Sequence, residues 1–256
     1  MESEATEFPP CKICGARAPL LGEVDFHAHL QTPLPPSGIP VPYYRCPACG
    51  FLFTPFCDDW SERDFAERIY NADYPQFDRE YESVRSTGVA GFLDRLFEPG
   101  KDGMMVLDYG GGNGLLAAKL REFGFLRAET YDPFVPEFAD PPPGLFDLVV
   151  CIEVLEHAAD PRRVVQEWRT FMHPKSRVIF STTLQPGTPN APLLDWDYVT
   201  PRTGHVSIFS GASLCRLLES EGFLMEPVRG GNLEGVLFFA RLAAARAAPA
   251  EKAAKK

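Results

Sequence analysis

Residues 104–124 constrain this chain more tightly than any other stretch. Met104-Met105-Val106-Leu107-Asp108 is an apolar run ending on a carboxylate, the composition of a buried strand. Tyr109-Gly110-Gly111-Gly112-Asn113-Gly114 follows, and Leu116, Leu120 and Phe123 then recur at i, i+4 and i+7 ahead of Gly124. That is the period of a helix with a glycine stop. Strand, glycine turn and helix in this order open a doubly wound parallel sheet and put a ligand at the turn. The glycine spacing selects among ligands. A dinucleotide fingerprint, GxGxxG, fails from Gly110 at Leu115 and from Gly111 at Asn113; from Gly112 only the looser form ending at Ala117 remains, too far from the strand. What stands is Asp108-x-Gly110-x-Gly112-x-Gly114. A carboxylate there repels a pyrophosphate and favours a ligand carrying an ammonium or sulfonium.

The alternation continues downstream. A second strand is expected at Ala128–Tyr131, ending at Asp132, where a carboxylate can accept hydrogen bonds from both hydroxyls of a ribose. The segment FVPEFADPPPG is short and broken by prolines, so a third strand should be weak or missing; Asp140 within it is a candidate for an adenine amino group. Phe146–Ile152 is a buried strand, followed by Glu153-Val-Leu-Glu156-His157. Asp160-Pro161 is an N-cap with proline at the first helical position, opening a helix striped by Val164, Val165, Trp168, Phe171 and Met172. A strand is expected at Arg177–Thr183 and a helix at Ala212–Glu221. Two last strands, Phe223–Arg229 and Val236–Arg241, are joined by GGNLEG.

The acid–glycine pattern of residues 108–114 is the hallmark of class I S-adenosylmethionine-dependent methyltransferases, and FDLVVCIEVLEH closely resembles ubiquinone-pathway O-methyltransferases and their glycan-modifying relatives. The resemblance covers about residues 100–242. It implies an α/β fold, a Rossmann-like seven-stranded sheet with a terminal antiparallel hairpin. It also implies S-adenosyl-L-methionine held by Asp108, Gly110, Gly112, Asn113, Gly114 and Glu153, with Asp132 on the ribose. In some ubiquinone-pathway enzymes the positions of Glu153, Glu156 and His157 bind a divalent metal; a cofactor-side or structural role competes with that here.

Upstream, Cys11-Lys-Ile-Cys14-Gly15 and Cys46-Pro-Ala-Cys49-Gly50 are two CxxCG knuckles. Two residues between thiolates let both sulfurs reach one ion, and the glycine lets the backbone turn behind them. Four thiolates suit a tetrahedral, structural Zn²⁺ with no open position. The segment between the knuckles is Pro-rich, so the metal should supply much of the folding energy. Loss of one of these cysteines is expected to loosen residues 1–57 and spare the core. His27, His29 and Cys57 are weaker ligand candidates. The expected division is a four-cysteine zinc-binding module at 1–57, a helical linker at 58–97, a methyltransferase domain at 98–242 and a disordered tail at 243–256. In the linker, Phe65 and Ile69 stand at i, i+4, and Tyr70, Tyr74 and Tyr81 can pack in the core or cover a cofactor.

Methyl transfer to a hydroxyl benefits from a base. His205, in the loop Trp196–His205 after the fifth strand, is the first choice for that role. His157, at the carboxyl end of a central strand, is the second. Asp195, Asp197 and Arg202 are candidates to hydrogen-bond a polar acceptor, and His173 should end a helix. The net charge of −10 disfavours a nucleic-acid partner. No leader or membrane-length apolar run is seen, so a cytoplasmic protein is expected. The preferred reading is O-methylation of a small polar acceptor, such as a sugar or glycan precursor. The alternatives are a sugar C-methyltransferase or a non-catalytic zinc-ribbon adaptor with a cofactor-holding core.

Overall fold

The computed structural model describes residues 8–78, 83–125, 127–187, 191–227 and 237–243. Tyr81, the GGNLEG connection and the 244–256 part of the tail lie outside the described residues.

From the amino-terminal side come strands β1 (Leu20–Asp25), β2 (Pro40–Arg45) and β3 (Leu52–Phe53). Two helices follow: α1 (Glu62–Arg68), opened by a reciprocal Ser61–Asp64 capping box, and α2 (Val84–Phe97). The expected strand–turn–helix is then present as β4 (Met105–Tyr109) and α3 (Leu115–Glu122). Next come β5 (Arg127–Tyr131), β6 (Phe146–Ile152), and α4 (Pro161–Thr170), whose Asp160 carboxylate accepts from the Arg162 and Arg163 amides. The chain continues through β7 (Met172–Ser181), β8 (Ser207–Ile208), α5 (Gly211–Ser220), β9 (Phe223–Pro227) and β10 (Leu237–Leu242). His173 falls in β7, not at a helix end; its Nε2 pairs with Asp147 at 3.1 Å.

The main sheet has the order β5-β4-β6-β7-β10-β9. Pairs β4–β5, β4–β6 and β6–β7 are parallel, while β10 runs antiparallel to both β7 and β9, giving the expected terminal hairpin. The sheet has six strands among the described residues. The seventh implied by the resemblance has no counterpart there, because prolines after Asp132 lack the N–H that a ladder needs. Both faces are covered, as continuous apolar strands require. Val106, Leu148 and Ile179 join the layer under α2 and α3; their neighbours Leu107, Val149 and Val178 join Trp168 and Leu217 under α4 and α5.

A second sheet has the order β1-β2-β3-β8. Its first three strands lie within residues 1–57, but its fourth comes from far downstream: Leu52 pairs with Ile208 and Phe53 with Ser207. Phe51 and Phe53 pack in the main core beside Phe209.

Candidate active site

The two knuckles bring four sulfurs together. Gly15 and Gly50 take φ of 75° and 76°, and their amides donate to the Cys11 and Cys46 carbonyls at 2.8 and 2.9 Å. Cys11 Sγ lies 3.7 Å from Cys49 Sγ, and Cys14 Sγ 3.4 Å from Cys46 Sγ; all four lie within 4.8 Å of one another. A zinc tetrathiolate with bonds of about 2.3 Å has sulfur–sulfur edges of about 3.8 Å, so the donor set fits that ion. Burial pushes the Cys11 thiol up to about 11 and Cys49 higher still. Burial also opposes ionisation of Cys46, but the Cys49 and Ala48 amides bring it down to about 7. A dication would supply the charge such a crowd of thiolates needs. Cys57 is buried in a different cluster. His27 and His29 bond instead to the Pro35 and Leu194 carbonyls, each at 2.8 Å, and hold loops.

A cavity of about 540 Å³ opens along the carboxyl ends of β4, β5 and β6, where open α/β sheets bind ligands. The glycine turn forms its floor. Gly111 has no room for a side chain, since a Cβ would strike the Asp108 carboxylate and the Thr130 side chain. Asp108 therefore sits directly under the turn, with Oδ2 buried and unpartnered. Burial raises it to about 7, with the Asp132 charge adding to the effect and the Ala117 amide opposing it. Asp132 Oδ2 accepts from the Gly112 amide at 2.8 Å and Oδ1 from the Phe134 amide at 2.9 Å. Burial raises Asp132 as well, against those two amides. Asp108, Gly110, Gly112, Asn113, Asp132 and Glu153 all line the cavity. Gly114 is not among the lining residues; at φ 74° it starts α3 against the Phe138 ring. Asp140 is exposed and does not line the cavity.

Glu153, Val154 and His157 form the next wall. Glu153 holds a left-handed φ of 53°, a costly conformation for a non-glycine residue. Ser181 keeps it there, accepting from the Glu153 amide at 3.0 Å and donating to its Oε1 at 2.7 Å. Glu156 is fully buried and accepts from the Tyr198 hydroxyl at 2.8 Å; its Oε2 has no partner. Burial and the neighbouring Glu153 drive Glu156 far above the usual carboxylate range. His157 lines the cavity with Nδ1 buried and unpartnered, and its ring meets Tyr70 at 6.2 Å and His205 at 4.8 Å. Burial lowers both imidazoles, which favours their neutral forms. The metal-like grouping here is Glu156, His157 and His205, not Glu153, Glu156 and His157.

Two expectations about the Trp196–His205 loop need correction. His205 does not line the cavity; it sits behind His157, with Nδ1 bonded to the Tyr198 carbonyl at 2.8 Å and its own carbonyl taken by Tyr43. Arg202 does not face a polar acceptor. It is buried, donating to the Ile69 carbonyl and Asn71 at 2.9 and 3.0 Å beneath the Phe77 ring. Asp195 and Asp197 do not line the cavity either. The roof comes from the linker: Trp60, Phe65, Tyr70 and Tyr74 line the cavity, and Phe65 and Tyr70 both meet Phe134. Sequence reasoning missed Arg85, which Asp78 grips through two hydrogen bonds of 3.0 and 3.1 Å at the cavity edge. No local motif marks it.

A parallel sheet with a terminal antiparallel hairpin and an acid–glycine turn under a cavity defines the class I methyltransferase architecture. Residues 81–228, more than half of the chain, match the family described as "Methyltransferase domain", and the chain belongs to that family. It is 34% identical over 104 residues to the ubiquinone biosynthesis O-methyltransferase of Albidiferax ferrireducens, covering 31% of this chain and 41% of that one. It is 32% identical over 115 residues to the ubiquinone biosynthesis O-methyltransferase of Pectobacterium carotovorum, covering 36% and 48%. The chain thus spans less than half the length of these curated relatives. Among solved structures, mitomycin 7-O-methyltransferase aligns with a TM-score of 0.55 at 21% identity, over 72% of this chain and 61% of that one. A methyltransferase of calicheamicin biosynthesis, in its S-adenosylhomocysteine-bound form, aligns at 0.51 and 20%, over 73% and 63%. Likeness at that identity speaks to the fold. No helix among the described residues is long and apolar enough to cross a membrane.

Proposed function

We propose that this protein transfers a methyl group from S-adenosyl-L-methionine to a hydroxyl of a small acceptor, with a zinc ion held by Cys11, Cys14, Cys46 and Cys49. One observation carries the reading: a single cavity joins the Asp108–Asn113 turn and Asp132 to His157. When bound, the cofactor supplies a methyl group already activated on a sulfonium. The carboxylates of Asp108 and Asp132 suit its ammonium and ribose hydroxyls, and the unpartnered Asp108 Oδ2 is the group a cation would satisfy. The chain's remaining task is to position the acceptor and take its proton. His157 is in the wall and flanked by Tyr70, and burial favours its neutral form, so it replaces His205 as the candidate base; His205 backs its ring. The named relatives favour transfer to oxygen. The aromatic roof and the burial of Arg202 favour an acceptor with an apolar ring face over a densely hydroxylated sugar. A thiolate metal centre favours the reducing cytoplasm.

The test is turnover with phenols and sugar nucleotides as acceptors. Histidine bases typically contribute about 10²–10⁴ in rate. His157→Ala is expected to cut turnover by at least about a hundredfold with S-adenosylhomocysteine affinity little changed. His205→Ala should have the smaller effect. Equal, normal turnover in both variants would leave proximity alone as the mechanism.

A further inference from the structure

The middle residues of the first knuckle reach out of the cysteine centre into the cavity wall. Lys12 lies between Cys11 and Cys14, and its side chain is only 13% exposed. Its ammonium has three N–H groups and three acceptors: the Thr54 carbonyl at 3.1 Å, the Ala159 carbonyl at 2.9 Å and the Asp58 carboxylate. Asp58 and Ala159 both line the cavity, from opposite parts of the chain. Asp58 belongs to the turn leaving β3, and Ala159 stands two residues after His157. The next residue repeats the link in reverse: the Ile13 carbonyl accepts from Arg162 Nη2, in the first turn of α4, at 2.8 Å. The second knuckle is tied elsewhere, through Ser210 Oγ to the Cys49 carbonyl at 2.7 Å and Gln185 Nε2 to the Gly50 carbonyl at 2.8 Å.

Resting on the methyl-donor reading above, we propose that Lys12 is a positioning residue through which the metal centre and the cofactor cavity stabilise each other. A low-exposure ammonium with every donor used fixes its acceptors in place, since leaving any of them unpaired is costly. Its own backbone stands between two sulfur donors, and an ion shared by Cys11 and Cys14 would add to the turn hydrogen bonds that hold it. A metal-filled knuckle therefore holds the 157–160 turn and the 57–60 turn at their cavity positions. A ligand that packs against those turns must by reciprocity tighten the metal. This replaces the expectation that cysteine loss would spare the core.

Competition with a chromogenic chelator on the full zinc-loaded protein tests it, with and without saturating S-adenosylhomocysteine. Zinc affinity is expected to rise at least about fivefold with the ligand, the low end of coupling between sites. Lys12→Met should keep one zinc per chain and a cooperative melt, yet lose that gain and bind S-adenosylhomocysteine about fivefold more weakly. Lys12→Arg should restore part of both. Ligand binding by calorimetry with no change in zinc affinity overturns the coupling, as does full coupling in Lys12→Met. If Lys12→Met fails to fold, the unmodified protein decides. Protein that neither carries nor takes up zinc overturns it too. Absence of any S-adenosylhomocysteine binding, seen before chelator is added, instead brings down the methyl-donor reading.

Discussion

The cysteine centre and the cofactor cavity both crowd polar groups together, but they leave different residues unfinished. In the first, each sulfur faces other sulfurs and the knuckle glycines close the backbone behind them. A single ion would complete it. In the second, Asp108 Oδ2 and His157 Nδ1, on two residues that line the cavity, are buried without partners, two of the five such side-chain atoms among the described residues. Each unmade bond costs about 1–3 kcal/mol. A closed cluster of like donors marks a structural role. Scattered orphaned atoms around a cavity mark a place that a larger, chemically mixed ligand must fill.

Removing the ion should break the closed site most severely. Chelation is expected to lower the melting temperature by at least about 10 °C, given the size of structural zinc contributions in small modules, as scanning calorimetry with and without chelator would show. At the open site, Asp132→Ala should weaken S-adenosylhomocysteine binding about tenfold or more by removing charged acceptors. Unchanged affinity in titration calorimetry would take Asp132 out of the site. A pH series sharpens the contrast further. Burial raises Asp108 to about 7, above its unfolded value of about 3.9. The folded free protein therefore loses stability to this group as pH rises from about 4 through about 7. A ligand ammonium prefers the ionised carboxylate, so affinity should increase about tenfold between roughly pH 5.5 and 7.5. Asp108→Asn should flatten that rise. The smallest effect belongs to exposed Asp140: its change to Ala should move affinity less than about twofold, and a tenfold loss would put it back in the cavity.

What could be read in advance was whatever the chain encodes over a few residues. The Asp108–Gly114 turn, the Asp160 cap and the two knuckles are each set by neighbours within one or two turns, and each stands where the pattern put it. The broken third strand was legible for the same reason, because proline acts locally. The path of the Trp196–His205 loop was not. Its direction depends on Tyr43, Ile69 and Asn71, partners more than a hundred residues away, which capture His205 and Arg202. Arg85 and Lys12 escaped notice likewise: a lone cation in a helix or a knuckle looks like a solvated side chain until the fold supplies Asp78 or Ala159.

The pairing of β3 with β8 bears on the order in which the chain can assemble. Phe53 finds Ser207 only after more than 150 further residues have been made. On a ribosome, the knuckles emerge before β8 and could capture a metal early, while the edge of β3 waits unpaired. Contacts of such sequence separation slow folding, and unpaired strand edges invite association with other chains. The early metal would then act as a placeholder, keeping the nascent segment compact until its last strand arrives. Transplanting residues 1–57 alone onto another enzyme would leave that edge open, so a portable version of the module must carry its own substitute for Ser207–Ile208.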